Sequence, residues 1–153
     1  MAESREVGTS QEDISRLVAE WQYLQNLAEA LKQRIDVALA AISEIENTIQ
    51  AIDELGKVSG EVEALFVLGA NAYAKGKITD SKRVLINVGA NVLIEKSLED
   101  AKKFLETRID SLRRVVTETQ QQLATVSARI SKLEPELRRV AESRSETQAG
   151  GKK

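Results

Sequence analysis

Few residues in the sequence are of the types that carry out catalysis or bind metals. None of its 153 residues is a histidine or a cysteine, which excludes imidazole acid–base chemistry, thiolate nucleophiles, disulfides and the usual zinc sites. Gly76-Lys77 lacks the glycine-rich lead-in of a phosphate-binding loop, and Ile78 stands where a Ser or Thr should follow the lysine. We therefore predict that the chain is not an enzyme and holds no cofactor and no metal.

Paired charges are the remaining candidates for chemistry. Two neighbouring carboxylates can serve as general acid and general base where their surroundings separate their pKa values. However, the pairs at 53–54 and 99–100 fall at expected helix ends or on solvated faces. The arginine pairs at 113–114 and 138–139 offer charges for phosphates, but acidic residues are interleaved with them and the net charge is −2. We predict no catalytic residue and no binding of nucleic acid.

The composition is that of long helices. Charged residues make up 30% of the chain, hydrophobic residues 42% and aromatic residues 3%, a mixture typical of helices rich in Ala, Leu, Glu, Lys and Arg. No apolar run approaches the roughly 20 residues of a membrane-spanning helix. The polar segment from Met1 to Gln11 lacks the apolar core of a signal peptide. We expect a cytoplasmic protein that does not contact membranes.

A regular heptad pattern runs along the first part of the chain. Alternating steps of three and four residues from Ile14 reach twelve positions, and all twelve are apolar. A period of 3.5 residues is that of a coiled-coil seam, and Gly56 marks its end. We predict a first helical arm over residues 14–56, preceded by a flexible N-terminus at 1–13. The seam positions are Ile14, Leu17, Trp21, Leu24, Ala28, Leu31, Ile35, Ala38, Ile42, Ile45, Ile49 and Ile52.

A second seam begins at Leu98 and has the same period. Eleven of its thirteen positions are apolar, and Lys102 and Thr119 interrupt it. Ser97 followed by Asp100 matches an acidic form of the helix-capping box. We predict a second arm over 98–141 and a disordered tail over 142–153. The seam positions are Leu98, Lys102, Leu105, Ile109, Leu112, Val116, Thr119, Leu123, Val126, Ile130, Leu133, Leu137 and Val140.

The two arms are of nearly equal length, about 63 Å at 1.5 Å per residue. They bury each other if they run antiparallel, and their charges agree with such pairing. The first arm carries seven acidic and three basic residues, whereas the second carries nine basic and seven acidic residues. We predict a mainly α fold, a long antiparallel coiled-coil hairpin within one chain. The alternative is that each arm forms half of a parallel homodimer or of a bundle.

The segment between the arms, 61–96, loses the heptad pattern and contains short β-branched runs. The segment at 68–71, Leu-Gly-Ala-Asn, is echoed 20 residues later by Val-Gly-Ala-Asn at 88–91. Gly and Asn tolerate the positive φ of hairpin turns. We therefore predict two consecutive β-hairpins at the base of the coiled coil. Candidate strands are 64–68, 72–78, 84–88 and 92–96.

These hairpins are too small to form a core of their own and too apolar to remain exposed to solvent. Four short strands make a poor independent core, and unpaired strand edges associate with other chains. We predict that the insert forms a subunit interface; the alternative is a self-contained cap on the coiled coil. The predicted interface residues are Leu65, Val67, Tyr73, Val84, Ile86, Val88, Val92 and Ile94.

The order helix, hairpin, hairpin, helix resembles the α class of the prefoldin family. The segment 65–70 is similar to the family's aliphatic-Val-Pro-Leu-Gly segment but lacks its frequent proline, and 73–78 looks like the second strand. The most specific stretch is 84–97, Val-Leu-Ile-Asn-Val-Gly-Ala followed after Asn91 by Val-Leu-Ile-Glu-Lys-Ser. The resemblance covers roughly residues 10–145. The β class carries a single hairpin, so the two-hairpin insert favours the α class.

This resemblance implies an ATP-independent holdase chaperone. It implies a hexamer of two α and four β subunits, capture of unfolded polypeptides at the coiled-coil tips, and delivery to a group II chaperonin. The alternative is a self-assembling coiled-coil scaffold or filament protein of the prefoldin-like type.

The free ends of the arms are the expected client-binding site. In an antiparallel hairpin the start of the first arm lies beside the end of the second, where helix ends fray and Pro135 removes a backbone hydrogen bond. Partly exposed apolar residues there suit weak capture of extended chains. The alternative is that these residues only close the coiled coil. The predicted client-binding residues are Ile14, Leu17, Val18, Trp21, Leu133, Leu137 and Val140.

Overall fold

The computed structural model describes residues 11–151, and it contains two long helices and four short strands. The predicted mainly α fold with a two-hairpin insert is confirmed. Residues 1–10 and 152–153 lie outside the described part of the chain. In chain order the elements are α1 Gln11–Gly56, β1 Val62–Gly69, β2 Ala72–Ile78, β3 Arg83–Asn87, β4 Leu93–Ser97 and α2 Leu98–Ala149.

Helix α1 begins at Gln11, so 11–13, which we predicted to be flexible, are helical. Glu12 and Asp13 lie in its first turn, where carboxylates interact favourably with the positive end of the helix dipole. The rest of the predicted flexible N-terminus, 1–10, lies outside the described residues.

Helix α2 extends to Ala149, which corrects the predicted disordered tail over 142–149. The hydroxyls of Ser143, Ser145 and Thr147 donate to backbone carbonyls three or four residues earlier, at 2.8–2.9 Å. These residues therefore bond within the helix instead of competing with it. The helix also continues through Pro135 without interruption. The last two residues of the predicted tail, 152–153, lie outside the described part.

The chain divides into two compact units, and each contains part of both helices. The unit that we call the terminal unit comprises Met1–Val37 and Val116–Lys153, and the insert unit is Ala38–Val115. Antiparallel pairing of the helices is evident within each of them. Glu20 of α1 contacts Arg129 of α2 in the terminal unit, and Asp53 contacts Lys102 in the insert unit.

The helices pack through the two predicted seams. Every predicted seam position is buried or partly buried. In the terminal unit the core contains Ala28 and Leu31 from α1 and Val126 and Ile130 from α2. Since residues of both helices form one cluster, the seams bury each other within a single chain, as the heptad pattern predicts.

The core of the insert unit joins the helices to the second hairpin. Ile52, Ala101 and Leu105 from the helices pack with Ile86 of β3. Lys102, one of the two interruptions of the second seam, is tolerated because its ammonium lies 2.8 Å from the Asp53 carboxylate. The β3–β4 hairpin is therefore anchored to the coiled coil by its own buried side chain.

The start of α2 is capped as predicted. The backbone N–H of Asp100 donates to the Ser97 hydroxyl at 3.2 Å, which satisfies one of the free donors of the first turn. Glu99 and Asp100 place negative charge in that turn. The acidic pair thus stabilises the start of α2.

Each hairpin forms its own two-stranded antiparallel sheet. Strand β1 pairs with β2 and contains one extra residue, Leu68, before the turn; β3 pairs with β4. The echoed Gly-Ala-Asn segments at 69–71 and 89–91 have positive φ at all three residues, from 45° to 121°. Positive φ was predicted for the glycines and asparagines, whereas the alanines adopt it at a steric cost.

Candidate functional site

The seam of the terminal unit becomes less buried toward the start of α1 and the end of α2. Ala28 and Leu31 are buried, whereas Trp21, Leu17 and Ile14 are only partly buried. Val18, beside the seam, is 40% exposed. Apolar atoms of α1 are therefore accessible in the first three turns, as expected for a helix end that has few neighbours.

Burial of the seam also decreases along helix α2 toward its C-terminal end. Leu133 is fully buried at 0% exposure, and the later seam residues Leu137 and Val140 are partly buried. Leu133 is thus a core residue of the terminal unit in this structure, and it differs in this from the rest of the predicted client-binding set. We call the seven predicted residues together the terminal seam.

Two polar contacts between α1 and α2 enclose the terminal seam, except for Trp21, and show that its two halves face each other. Arg129 donates to the Glu20 carboxylate at 2.7 Å, and Arg144 donates to the Gln11 side chain. Ile14 and Leu17 lie between these contacts on α1, and the predicted α2 residues lie between them on α2. The structure therefore brings the predicted set together, with Val18 at its edge.

The contact between Glu20 and Arg129 also shifts the pKa values of both groups. The hydrogen bond from Arg129 lowers the pKa of Glu20 below its ordinary value of 4.5, and the nearby positive charge acts in the same direction. The pKa of Arg129 is raised by the same contact. Arg129 is exposed and Glu20 is partly exposed, so the pair contributes modestly and is screened by salt.

Acid is expected to loosen this contact. Because the pKa of Glu20 is lower in the folded than in the unfolded chain, the ion pair is fully present above pH 4.5 and is lost as pH falls through the depressed pKa. The protection factors of the backbone amides around Glu20, which compare each exchange rate with the intrinsic rate at the same pH, should therefore fall as the pH drops through this range. The Glu20→Gln variant should lack this extra loss of protection; an identical pH profile of protection in both proteins would contradict the assignment.

The hairpins carry the largest exposed apolar surface of the described chain. Six of the eight predicted interface residues are exposed, by between 36% and 74% of the side chain. The other two face inward, since Ile86 is buried at 8% and Val84 packs against the same cluster. The exposed six are Leu65, Val67, Tyr73, Val88, Val92 and Ile94.

Sequence reasoning missed four further exposed residues. Phe66, Leu68, Leu85 and Leu93 are exposed by between 46% and 71%. The available signal was that the strands are apolar at consecutive positions, so both faces of a strand carry large side chains. We call the six predicted and four additional residues the hairpin surface.

The register of β1 and β2 distributes this surface over two faces. Val67 pairs with Tyr73, and Phe66 pairs with Ala74, so the two pairs point to opposite sides of the sheet. The Phe66 ring covers Gly76 so closely that a Cβ on that glycine would lie 2.5 Å from Cε2 of the ring. Each two-stranded sheet also has unpaired edges in the described chain, and such edges favour association.

The described residues form neither a metal site nor a membrane-spanning helix. No group of three or more Asp, Glu, His or Cys side chains converges to hold a metal ion in the part of the chain from 11 to 151. No helix within the same range is long and apolar enough to cross a membrane. The terminal seam and the hairpin surface are therefore the candidate sites for binding other polypeptides.

Comparison with known proteins identifies a family along most of the chain. The sequence model of the family described as "Prefoldin subunit" matches residues 24–143. The chain is 32% identical over 138 residues to a "Prefoldin subunit alpha" of Thermofilum pendens, covering 90% of this chain and 100% of that protein. It is 28% identical over 136 residues to a protein of the same name from Pyrococcus horikoshii, covering 88% and 92%.

The fold is also similar to that of a solved structure. A chain from "Cryo-EM structure of filamentous PFD from Methanocaldococcus jannaschii" superposes with a TM-score of 0.67 and is 23% identical. The match covers 80% of this chain and 98% of that chain. At this identity the likeness concerns the fold, a coiled-coil hairpin with a β insert.

Proposed function

The chain belongs to the prefoldin family as an α-class chaperone subunit, and from this premise we propose that it is an ATP-independent holdase that binds unfolded polypeptides at its terminal seam. The family consists of non-enzymatic chaperones, which agrees with a sequence that lacks a catalytic constellation. The proposal needs no nucleotide, cofactor or metal.

The observation that carries the proposal is the loss of burial along the terminal seam. Apolar side chains that are buried at Ala28 and Leu31 become partly exposed at Leu17 and Ile14, and likewise at Leu137 on α2. Partial exposure leaves apolar area for a client. Contacts of this kind recognise extended apolar segments without requiring a particular sequence.

The hairpin surface supports assembly with other subunits. The hairpins of a single chain leave ten large apolar side chains and the sheet edges exposed, and we propose that two α subunits and four prefoldin β subunits cover them in a hexamer. Several terminal seams in one assembly would then bind one client with combined avidity, although each seam binds weakly. We further propose that the assembly acts in the cytoplasm and delivers its clients to a group II chaperonin.

Disrupting the terminal seam should abolish most of the client protection. In Leu17→Ser combined with Leu137→Ser, two partly buried apolar groups become polar, and we expect client affinity to fall roughly tenfold or more. Light scattering of a refolding client would measure the loss of protection, with the mass of the assembly unchanged. The matched control is Tyr23→Ser with Val37→Ser. These two residues of α1 lie outside the seam and are 65% and 70% exposed.

Unchanged protection by the correctly assembled seam variant would refute the client site. An equal loss in the control variant would also refute it, because the effect would then reflect general apolar area of the arm instead of the seam.

A second candidate function is that of a filament or scaffold subunit. The exposed hairpin surface with its free edges favours self-association, and the similar chain from Methanocaldococcus jannaschii is described as filamentous. Measuring the mass of the chain alone and after mixing with a β subunit separates the two candidates. A defined hexamer that forms only on mixing supports the chaperone, whereas long polymers of the chain alone support the scaffold.

A further inference from the structure

Trp21 is the single tryptophan of the chain and lies on the terminal seam. Its side chain is partly buried and packs against the cluster formed by Ala28, Leu31, Val126 and Ile130. The ring therefore belongs both to the core of the terminal unit and to the region where the seam loses its burial. Its polar atom distinguishes it from every other residue of this seam, since the others are aliphatic.

The indole N–H of Trp21 has no acceptor in the described structure. Nε1 is shielded from solvent, and it is the only such buried side-chain nitrogen or oxygen without a hydrogen-bond partner among residues 11–151. Buried tryptophan N–H groups usually find a partner, and leaving one unmade carries the full desolvation penalty of the donor. The closed seam therefore contains a donor that would gain from an acceptor.

Two polar side chains at this end of α1 are already engaged with α2. The carboxylate of the preceding residue, Glu20, accepts from Arg129 at 2.7 Å. Gln11, at the start of the same helix, accepts from Arg144. The aliphatic cluster beneath the ring offers no oxygen. A molecule that enters the seam can supply the acceptor that the closed structure does not provide.

We propose that the Trp21 indole N–H is a client-binding donor, which gives a hydrogen bond to a main-chain carbonyl of the unfolded polypeptide. This inference rests on the proposed function, since it assumes that clients occupy the terminal seam. Every unfolded chain carries main-chain carbonyls that are not paired within secondary structure. A donor of this kind therefore adds affinity without restricting the client's side chains, while the ring contributes apolar area.

Access to the donor requires local opening of the seam. Burial of the seam decreases from Ala28 toward Ile14, and less buried segments open at a lower free energy than the rest of a fold. The unmade hydrogen bond favours that opening, because it destabilises the closed seam. A client carbonyl that reaches the indole N–H then satisfies the donor, so the same group that loosens the closed state stabilises the bound state.

The test replaces the N–H without changing the shape of the ring. Position 21 receives β-(3-benzothienyl)alanine by codon suppression, in which sulfur stands in place of the N–H. Removing the unsatisfied donor should slow hydrogen exchange of the amides in 14–31 by about fivefold or more in the assembled protein. Removing the donor to the client should raise the dissociation constant for an unfolded client by about five- to tenfold.

The two measurements must move in these directions together. Exchange that is unchanged or faster shows that the N–H already has a partner when the seam is closed, and it overturns the inference. Unchanged client affinity overturns it as well, because no bond to the client is then lost. If Leu17→Ser with Leu137→Ser weakens capture but the benzothienyl protein does not, the donor role fails while the client site stands. If neither weakens capture, the client site itself fails.

Discussion

Leu133→Ala is expected to destabilise the terminal unit by about 2–5 kcal/mol, which is the usual cost of truncating a fully buried leucine. Leu133 has 0% of its side chain exposed and is the largest fully buried side chain of the described chain. Its removal leaves a cavity between two helices whose backbones are fixed by the neighbouring seam residues. The result should appear as faster hydrogen exchange of the seam amides on both helices.

The matched control for Leu133→Ala is Leu137→Ala, four residues further along the same seam. Leu137 is partly buried, so its truncation loses less apolar contact and leaves a groove open to water. We expect its effect on exchange to be clearly smaller and its effect on client capture to be larger. Equal destabilisation by the two substitutions would contradict the gradient of burial that supports the client site.

Ile86→Ala is expected to destabilise the insert unit by about 2–5 kcal/mol, the range for an aliphatic core residue. Ile86 is 8% exposed and packs with Ile52, Ala101 and Leu105. It connects β3 to both helices, so its truncation weakens the attachment of the second hairpin as well as the packing of the seam. Thermal unfolding and hydrogen exchange of β3 and β4 would measure the change.

The neighbouring residue provides the control for Ile86. Leu85 is 63% exposed because successive side chains of a strand point to opposite faces. Leu85→Ala should leave the unfolding of the isolated chain within about 0.5 kcal/mol of the original but weaken assembly with β subunits. A hexamer that forms equally well with Leu85→Ala would argue against this part of the hairpin surface as an interface.

The heptad seams show how far the sequence alone reaches. A repeat of 3.5 residues places side chains on one stripe of a helix whatever surrounds it, so every seam position could be assigned before the fold was known. Lys102 shows the limit of the pattern. In the sequence, Lys102 interrupts the apolar stripe. Only the packed helices show that the Asp53 carboxylate lies 2.8 Å from its ammonium group and balances its charge.

The candidate sites depended more strongly on tertiary packing. Alternation along a strand tells which residues share a face, but it does not tell which face meets the helices. Ile86 and Val84 were therefore expected at a subunit interface, whereas they pack within the chain. Leu133 was grouped with the client-binding residues because it shares their stripe, but it is buried at 0% exposure, which the stripe alone does not indicate.

Heptad spacing and Gly-Asn turn signals act over short distances along the chain, so the two arms and the two hairpins between them could be read from the residues, and the opposite charge balance of the arms favoured their pairing. The packed fold was needed to establish that the arms pair antiparallel within one chain, how deeply each apolar residue is buried, which strand face is left open, and that the N–H of Trp21 lacks a partner. These properties depend on which atoms of distant segments approach each other. They separate the residues that hold the coiled coil closed from those that are free to bind another polypeptide.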